Sequence, residues 1–316
     1  MNELNSSWAV TGAAGFLGSH VVDQLIARGQ RVIGIDDLSA GRRGYVRDLN
    51  PAKFTLEEID IRDLPALTRC LTRHHPAALI HLAALHFIPA AVADPARAVS
   101  INVHGSQCVF DAARMADVPA LWLASTGDIY APSEAARSEQ SPTGPFNIYG
   151  LSKLMCEQLL ALEAQRRPDA RYVVGRLFNL YGSGETNPHF LPELLGQIKR
   201  NPAQPVRLGN LFPRRDLVPV ADAARAIIES AIAAPKGFHV YNLATGVAWS
   251  MSAVVEKINE LMGGRLKIET DPAKVRPVER DHLQADVSRL RALIGWTPHA
   301  DLMRGLRELL GAEGLL

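Results

Sequence analysis

A glycine-rich turn near the start of the chain most constrains what it can fold into. The apolar run Trp8-Ala9-Val10 leads into Thr11-Gly12-Ala13-Ala14-Gly15-Phe16-Leu17-Gly18. Between a strand and a helix, Gly12 permits the tight bend, Gly15 lets a pyrophosphate approach the backbone, and Gly18 allows close packing. A strand, glycines spaced G-x-x-G-x-x-G and a following helix predict a dinucleotide-binding βαβ unit.

The second predicted strand, 31–35, is followed directly by two acids. Asp36 is placed to accept hydrogen bonds from the adenosine ribose hydroxyls. Asp37 adds a negative charge that should repel a 2′-phosphate, although Arg42 and Arg43 could accommodate one. We therefore expect NAD rather than NADP as the cofactor.

Strands and helices alternate through the first half of the chain. The predicted strands are 8–11, 31–35, 53–57, 78–82, 120–124 and 172–177, and the predicted helices are 16–28, 64–73, 96–116 and 149–166. This alternation predicts an α/β fold with a Rossmann-type, doubly wound parallel sheet.

The second half is less regular and rich in proline, with a predicted helix over 220–233 and a strand over 239–243. We expect a dinucleotide-binding domain from 1–179 plus 219–247. A smaller, discontinuous C-terminal substrate lobe would comprise 180–218 plus 248–316. The substrate would lie between the two, beyond the carboxyl ends of the strands.

Composition excludes several classes of protein. The 316 residues are 47% hydrophobic and 21% charged, as in ordinary globular proteins. The net charge of +1 gives no general attraction to nucleic acid or to a membrane surface. Residues 1–7 are polar and unlike a signal peptide, and no apolar run could span a bilayer. Cys70, Cys108 and Cys156 are far apart, so we expect no metal site and a cytoplasmic protein with reduced thiols.

Tyr149 and Lys153 suggest the chemistry. Residues four apart share a helical face, so Lys153 can hold a positive charge near the Tyr149 phenol. A free phenol ionises only near pH ~10, and a fixed ammonium lowers that pKa, which would let the tyrosine act as acid or base. The spacing is common by chance, and the glycine turn is what gives it weight.

These motifs occur in one order along nearly the whole chain. Besides the glycine turn and Tyr149 to Lys153, they are Asp60-Ile61, His81 to Ala84, Asn102, Ser125-Thr126, Arg176 to Asn179, Arg215-Asp216, Arg276, Ala285-Asp286 and Gly295 to Pro298. The chain thereby resembles the extended short-chain dehydrogenase/reductase superfamily, specifically its NAD-dependent nucleotide-sugar epimerases and dehydratases.

The resemblance implies a role for each motif, with the His81–Ala84 loop lining the dinucleotide. The implied catalytic residues are Tyr149, Lys153, Thr126, Ser125 and Asp128. Cofactor contacts are expected at Gly12, Gly15, Phe16, Leu17, Gly18, Asp36, Asp37, Asp60, Ile61, Leu82, Ala83, Ala84 and Asn102, and again at Tyr149 and Lys153. Contacts with a nucleotide-diphosphate sugar are expected at His86, Asn179, His189, Phe190, Arg215 and Arg276.

Two positions depart from the family pattern. His86 stands where many epimerases place a lysine against the cofactor pyrophosphate. Leu283 stands where some galactose-type epimerases carry an aromatic residue beside the sugar. The resemblance also implies a homodimer that pairs through helices 96–116 and 149–166.

The family's shared first step is oxidation at C4 of the sugar, in which Tyr149 takes the hydroxyl proton while hydride passes to the nicotinamide. An epimerase returns the hydride to the opposite face. A 4,6-dehydratase needs a further acid, but Gly127 has no side chain and Asp128 is one methylene shorter than the family's glutamate. We therefore expect a C4 epimerase. The alternatives are a 4,6-dehydratase, then a decarboxylase or reductase, and, in another class, a non-catalytic dinucleotide-binding sensor.

Overall fold

The computed structural model describes residues 7–275, 280–298 and 301–316. Its strands are β1 Ser7–Thr11, β2 Arg31–Ile35, β3 Phe54–Glu57, β4 Ala78–His81, β5 Ala120–Thr126, β6 Arg171–Leu177, β7 Asn179–Tyr181, β8 Val206–Leu208, β9 Arg214–Pro219, β10 Gly237–Leu243, β11 Ala248–Ser250, β12 Ile268–Thr270 and β13 His282–Leu283. Its α-helices are α1 Phe16–Ala27, α2 Leu64–His74, α3 Ile88–Ala93, α4 Pro95–Val99, α5 Gly105–Met115, α6 Ile148–Arg166, α7 Phe190–Arg200, α8 Val220–Ala233, α9 Met251–Leu261, α10 Ser288–Ile294 and α11 Leu302–Ala312.

Seven parallel strands form the main sheet, in the order β10-β6-β5-β4-β1-β2-β3. Its central strands are nearly continuous apolar runs because helices cover both faces, as parallel sheets require. The strand order reverses between β1 and β4, and a cleft for a ligand forms at such a switch point. The predicted Rossmann-type α/β fold is confirmed.

The predicted helix over 96–116 is confirmed as a continuous helical run, but its middle turn is π-helical. Helices α4 and α5 are separated by a π-helical segment, Ser100–His104, and the short helix α3 precedes them. The wider π turn carries Asn102, whose side chain bonds to the backbone of Leu85. Such π segments often occur at functional sites.

A smaller body lies outside the main sheet. Strands β7, β9, β11 and β13 form a second sheet, and β8 pairs with β12. Their own hydrophobic cluster joins α7, α9 and α11, so it draws residues from both segments of the predicted substrate lobe. Helix α8 and strand β10, which lie between those segments in the chain, instead pack into the main sheet layer.

Candidate functional site

The glycine turn forms a cradle that larger residues would fill. Gly12 has φ +70°, and a Cβ there would lie 2.9 Å from the Ala83 nitrogen. A Cβ on Gly18 would lie 1.9 Å from the Gly12 carbonyl oxygen. Gly15 caps α1 without any side-chain hydrogen bond, which leaves amide donors at the helix N-terminus facing the cleft. The turn therefore fits a dinucleotide pyrophosphate, flanked by Phe16 and Leu17.

Asp36 closes the turn from the end of β2. Its carboxylate accepts from the Ala14 and Leu38 amides, both at 2.9 Å. Burial is the main cause that raises the pKa of Asp36, and Asp37 adds to it. The more exposed Asp37 accepts from Ser39. Both acids therefore border the position expected for the ribose.

The two arginines that could have favoured NADP have other partners. Arg43 pairs with Glu58 at 2.5 Å, and the Arg42 guanidinium lies 5.8 Å from the ring centre of Tyr45. Asp60 pairs with Arg62, whose hydrogen bonds lower the pKa of Asp60. These arrangements leave Asp36 and Asp37 as the charged groups at the ribose position and agree with NAD.

Four predicted contact residues line the far side of this cleft or support it. Ile61 is buried and a Cβ on Gly105 would lie 2.6 Å from its Cδ1 atom, so the pair fixes α5 against the loop after β3. The half-buried residues Leu82, Ala83 and Ala84 follow β4, and Thr11 Oγ1 accepts from the first two amides at 3.2 Å.

Asn102 and His81, beside the predicted cofactor lining, are fully buried. Asn102 has no exposed surface, because its amide is used by the Leu85 backbone and by Ser152. His81 is equally buried between Thr11 and Ser106, and burial lowers its pKa to about 3. The hydrogen bonds of Asn102 to Leu85 and of His81 to Thr11 therefore hold the loop after β4 in place.

The predicted catalytic pair is assembled at the start of α6. Asn147 caps this helix by accepting from the Gly150 amide at 2.8 Å, which places Tyr149 in the first turn. The Tyr149 phenol hydrogen-bonds with Thr126 at the end of β5. One turn later, the buried Lys153 ammonium donates to the Ala124 carbonyl at 2.9 Å.

The predicted direction of the Tyr149 pKa shift is wrong for the protein surroundings. Burial raises the pKa of the phenol, and the charge of Asp128 raises it further, while the Thr126 hydrogen bond opposes both. Burial also lowers the pKa of Lys153, opposed by Cys156 and Glu157. Desolvation therefore decides the direction of the shift for both groups.

Ser125 is not in the catalytic group. Its side chain is 1% exposed and donates to Glu157 rather than to Tyr149, because successive strand residues point to opposite faces. Glu157 also holds Arg176, with 2.8 Å between Arg176 Nη2 and Glu157 Oε2. Sequence reasoning missed Glu157, although its position four residues after Lys153 places both on one helical face.

Asp128 lies in the cleft and pairs with a residue that the sequence analysis also missed. Arg280 Nε lies 3.7 Å from Asp128 Oδ1. Gly127 between the catalytic Thr126 and Asp128 is covered by Phe178, whose ring would lie 3.2 Å from a Cβ at that position. Of the two residues that follow Thr126, only Asp128 is therefore an acid.

His86 occupies the mouth of the cleft. Its Nε2 accepts from the Asn187 amide at 2.9 Å, and its ring also bonds to the Ala84 backbone. The residue is exposed by surface area, but desolvation by neighbouring atoms and the charges of His189 and Lys153 lower the pKa of its ring. The imidazole is therefore neutral at pH 7 and does not replace the charge of the family's lysine.

Four other predicted substrate residues lie in the second sheet or at the start of α7. His189 packs against Phe87 with 5.5 Å between ring centres and pairs with Glu185, and Phe190 begins α7. Asn179 is exposed at the start of β7. Arg215 lies on β9 opposite Leu283, which is 4% exposed. Arg276 lies outside the described residues.

One cluster of possible metal donors lies apart from the cleft. The donor atoms of Glu57, Cys70 and His74 are within 4.8 Å of one another. Glu57 already pairs with His74 at 2.9 Å and with Arg73 at 3.4 Å, and burial raises the pKa of the Cys70 thiol to about 11. We interpret the group as an ion pair over a buried thiol.

Comparison with known proteins agrees with this arrangement. The model of the NAD-dependent epimerase/dehydratase family matches residues 8–244. The chain belongs to that family. It is 32% identical, over 94% of its length, to a UDP-glucose 4-epimerase of Azospirillum brasilense, 88% of which is covered. It is 31% identical to another from Mycolicibacterium smegmatis, with 95% and 96% of the two chains covered.

Solved structures of family members have the same fold. A UDP-N-acetylglucosamine 4-epimerase from Methanobrevibacter ruminantium, in complex with UDP-N-acetylmuramic acid, has a TM-score of 0.88 at 28% identity over 98% of each chain. The Thermus thermophilus UDP-glucose 4-epimerase, in complex with NAD, has a TM-score of 0.85 at 27% identity over 98% and 99% of the chains. The predicted family, the NAD cofactor and the class, a nucleotide-sugar epimerase, are confirmed.

None of the helices in residues 7–275, 280–298 and 301–316 combines the length and hydropathy that crossing a membrane would need.

Proposed function

We propose that this protein is a UDP-hexose 4-epimerase and that Tyr149 is the base that takes the C4 hydroxyl proton. One observation carries the proposal: the Tyr149 phenol bonds to Thr126 in a cleft bounded by the glycine turn, with Lys153 one helical turn away. The relatives named above, at 32% and 31% identity, are UDP-glucose 4-epimerases, which supports the choice of UDP and of a hexose.

Each residue of the group has a separate task. Tyr149 takes the C4 proton in the oxidation and returns it in the reduction, while Thr126 holds the phenol and the same hydroxyl. Lys153, anchored on the Ala124 carbonyl, keeps a positive charge beneath the phenol and binds the nicotinamide ribose. NAD, when bound, accepts and later returns the C4 hydride.

The cleft favours epimerisation over dehydration. Elimination requires two groups, a base that takes the C5 proton and an acid that protonates the C6 hydroxyl as it leaves. Gly127 offers neither and is covered by Phe178, so of the two residues after Thr126 only Asp128, paired with Arg280, is an acid, and it cannot fill both tasks. After a flip of the 4-keto sugar, the returning hydride needs only Tyr149 as proton donor.

The diphosphate would be held from the small lobe. Asn179, His189, Arg215 and Arg276 would bind it, and Phe190 would pack against the uridine. An arginine fork binds phosphate oxygens in a bidentate way, which suits Arg215 and Arg276 to this task.

We further propose a homodimer that pairs through α6 and its neighbours. Leu151, Met155 and Leu162 share one face of α6 and are 44%, 38% and 54% exposed, and Val92 and Val99 are exposed nearby. Val109 and Leu160, on the same two predicted helices, are buried in the core instead. Met155→Glu should give a monomer by light scattering at micromolar concentration, and an unchanged mass would refute the interface.

We also place the enzyme in the cytoplasm, because Cys70, Cys108 and Cys156 are all buried free thiols.

Product analysis tests the activity. The purified protein is incubated with UDP-, GDP-, CDP- and dTDP-hexoses, and the products are resolved by mass and NMR. We expect UDP-glucose and UDP-galactose to interconvert with unchanged mass and without added cofactor. Loss of water would show a dehydratase, loss of carbon dioxide from a 6-carboxylated sugar would show a decarboxylase, and no reaction would favour the sensor.

A further inference from the structure

Arg280 is buried beside the cleft, and its guanidinium has N–H donors that no described residue accepts from. Only 5% of the residue is exposed, and its Nη2 donates to the Tyr130 carbonyl at 2.9 Å and to the Asp128 carbonyl at 3.4 Å. Within the described part of the chain, its Nε and Nη1 atoms make no hydrogen bond. Buried donors without an acceptor are costly, so this guanidinium indicates a ligand that supplies an acceptor.

The acid that faces it is open to the cleft. The 3.7 Å between Arg280 Nε and Asp128 Oδ1 is too long for a hydrogen bond but can be bridged by one oxygen atom. The Asp128 side chain is 20% exposed, whereas that of Arg280 is 3% exposed. Phe146 lies over the guanidinium, 4.9 Å from its carbon to the ring centre, and shields it from solvent.

The pair lies between the two ends of the proposed substrate site. Arg280 lies within electrostatic range of Arg215, one of the arginines proposed for the diphosphate. At the other end, Asp128 is close enough to Tyr149 for its charge to raise the pKa of the phenol. That phenol would hold the C4 hydroxyl. In a hexose, C5 with its C6 substituent is the next carbon after C4. A sugar held at Tyr149 therefore brings its C6 group within reach of the pair.

We propose that Asp128 and Arg280 form the subsite for the primary hydroxyl at C6 of the sugar, and so select neutral hexoses. This inference rests on the proposed epimerase function and adds a substrate class to it. A hydroxyl can accept from Arg280 and donate to Asp128 at once. A 6-carboxylate has no proton to donate and would lie beside the Asp128 charge. A pentose lacks C6 and would leave the Arg280 donors unpaired.

Kinetics with three sugar nucleotides test the subsite. We expect kcat/KM for UDP-glucose to exceed the values for UDP-glucuronate and UDP-xylose by about 10- to 100-fold, since losing a charged hydrogen bond has an effect of that size. Asp128→Asn should lower the glucose-to-glucuronate ratio by about 10-fold. Arg280→Met should lower the glucose-to-xylose ratio by a similar factor. A merely structural defect would lower all three rates together and leave these ratios unchanged.

Asp281→Asn is the matched control, because it removes an exposed carboxylate next to Arg280. It should leave both ratios unchanged. Bound NAD is measured in every variant to confirm that the fold is kept. Equal turnover of glucose and glucuronate by the unsubstituted enzyme, or ratios that no variant alters, would overturn the subsite.

A binding measurement separates this inference from the proposed reaction. In the NAD-loaded Tyr149→Phe protein, calorimetry gives Kd for each sugar nucleotide without turnover. We expect UDP-glucose to bind more tightly than UDP-glucuronate by about 10-fold, and Asp128→Asn in this background to remove the difference. That result would support the subsite even if no epimerisation occurs in the active protein. Tighter binding of UDP-glucuronate would show that attraction of the 6-carboxylate to Arg280 outweighs its repulsion by Asp128, and would refute the proposal.

Discussion

Replacing Glu157 by glutamine should destabilise the protein strongly, because it breaks a buried ion pair from one side. The Glu157 carboxylate accepts from Arg176 Nη2 at 2.8 Å and from Arg176 Nε at 3.1 Å, and it also holds Ser125. The two charged side chains are 6% and 8% exposed. Removing one partner leaves a buried, unpaired guanidinium, which costs about 3–5 kcal/mol.

Urea unfolding followed by tryptophan fluorescence measures this loss. The control is Glu229→Gln, the same substitution in an ion pair with Arg28 whose side chains are 31% and 34% exposed. That variant should lose only about 0–1 kcal/mol. Adding Arg176→Met to Glu157→Gln should recover part of the stability, since it removes the unpaired charge. A loss below about 1 kcal/mol in Glu157→Gln would refute the buried pair.

Three further outcomes follow from the structure. Tyr149→Phe should lower kcat by about 10²- to 10⁴-fold while bound NAD is retained, and near-normal turnover would contradict its role as the base. Gly18→Ala should abolish NAD retention, because its Cβ would lie 1.9 Å from the Gly12 carbonyl, whereas Gly311→Ala, which meets nothing within 4 Å, should retain NAD and unfold at higher urea. His81 is held neutral by a pKa lowered from 6.5 to about 3, so its contribution to stability is present above pH 6.5 and is lost as pH falls toward 3. Within that window the stability of His81→Gln should fall less steeply on acidification, by about 1.4 kcal/mol per pH unit, and parallel curves would refute the assignment.

The sequence predicted the main sheet well because local patterns determine it. The central strands are apolar runs bounded by turns, and β1, β2 and β4 lie within one residue of their predicted bounds. The glycine turn was recognisable because Gly12 and Gly18 have steric tasks that only glycine fulfils.

What the sequence did not predict depends on contacts between distant residues. The π segment carries Asn102, which bonds to the backbone of Leu85 in another element, and a helical pattern does not reveal that contact. The Asp128–Arg280 pair joins residues 152 positions apart, so no spacing rule reveals it. Burial likewise decides the direction of the Tyr149 pKa shift, and burial is a property of the assembled fold.

Turnover of UDP-glucose in D₂O tests the central claim most directly. An epimerase that passes the C4 hydride to NAD and back retains the substrate hydrogen, so UDP-galactose should form without deuterium at any carbon. Mass spectrometry and proton NMR of the product report this at each position. Deuterium at C5 together with loss of water would show elimination, and deuterium at C4 would show that the hydride is not returned. Either result would contradict an epimerase in which Tyr149 moves only the hydroxyl proton.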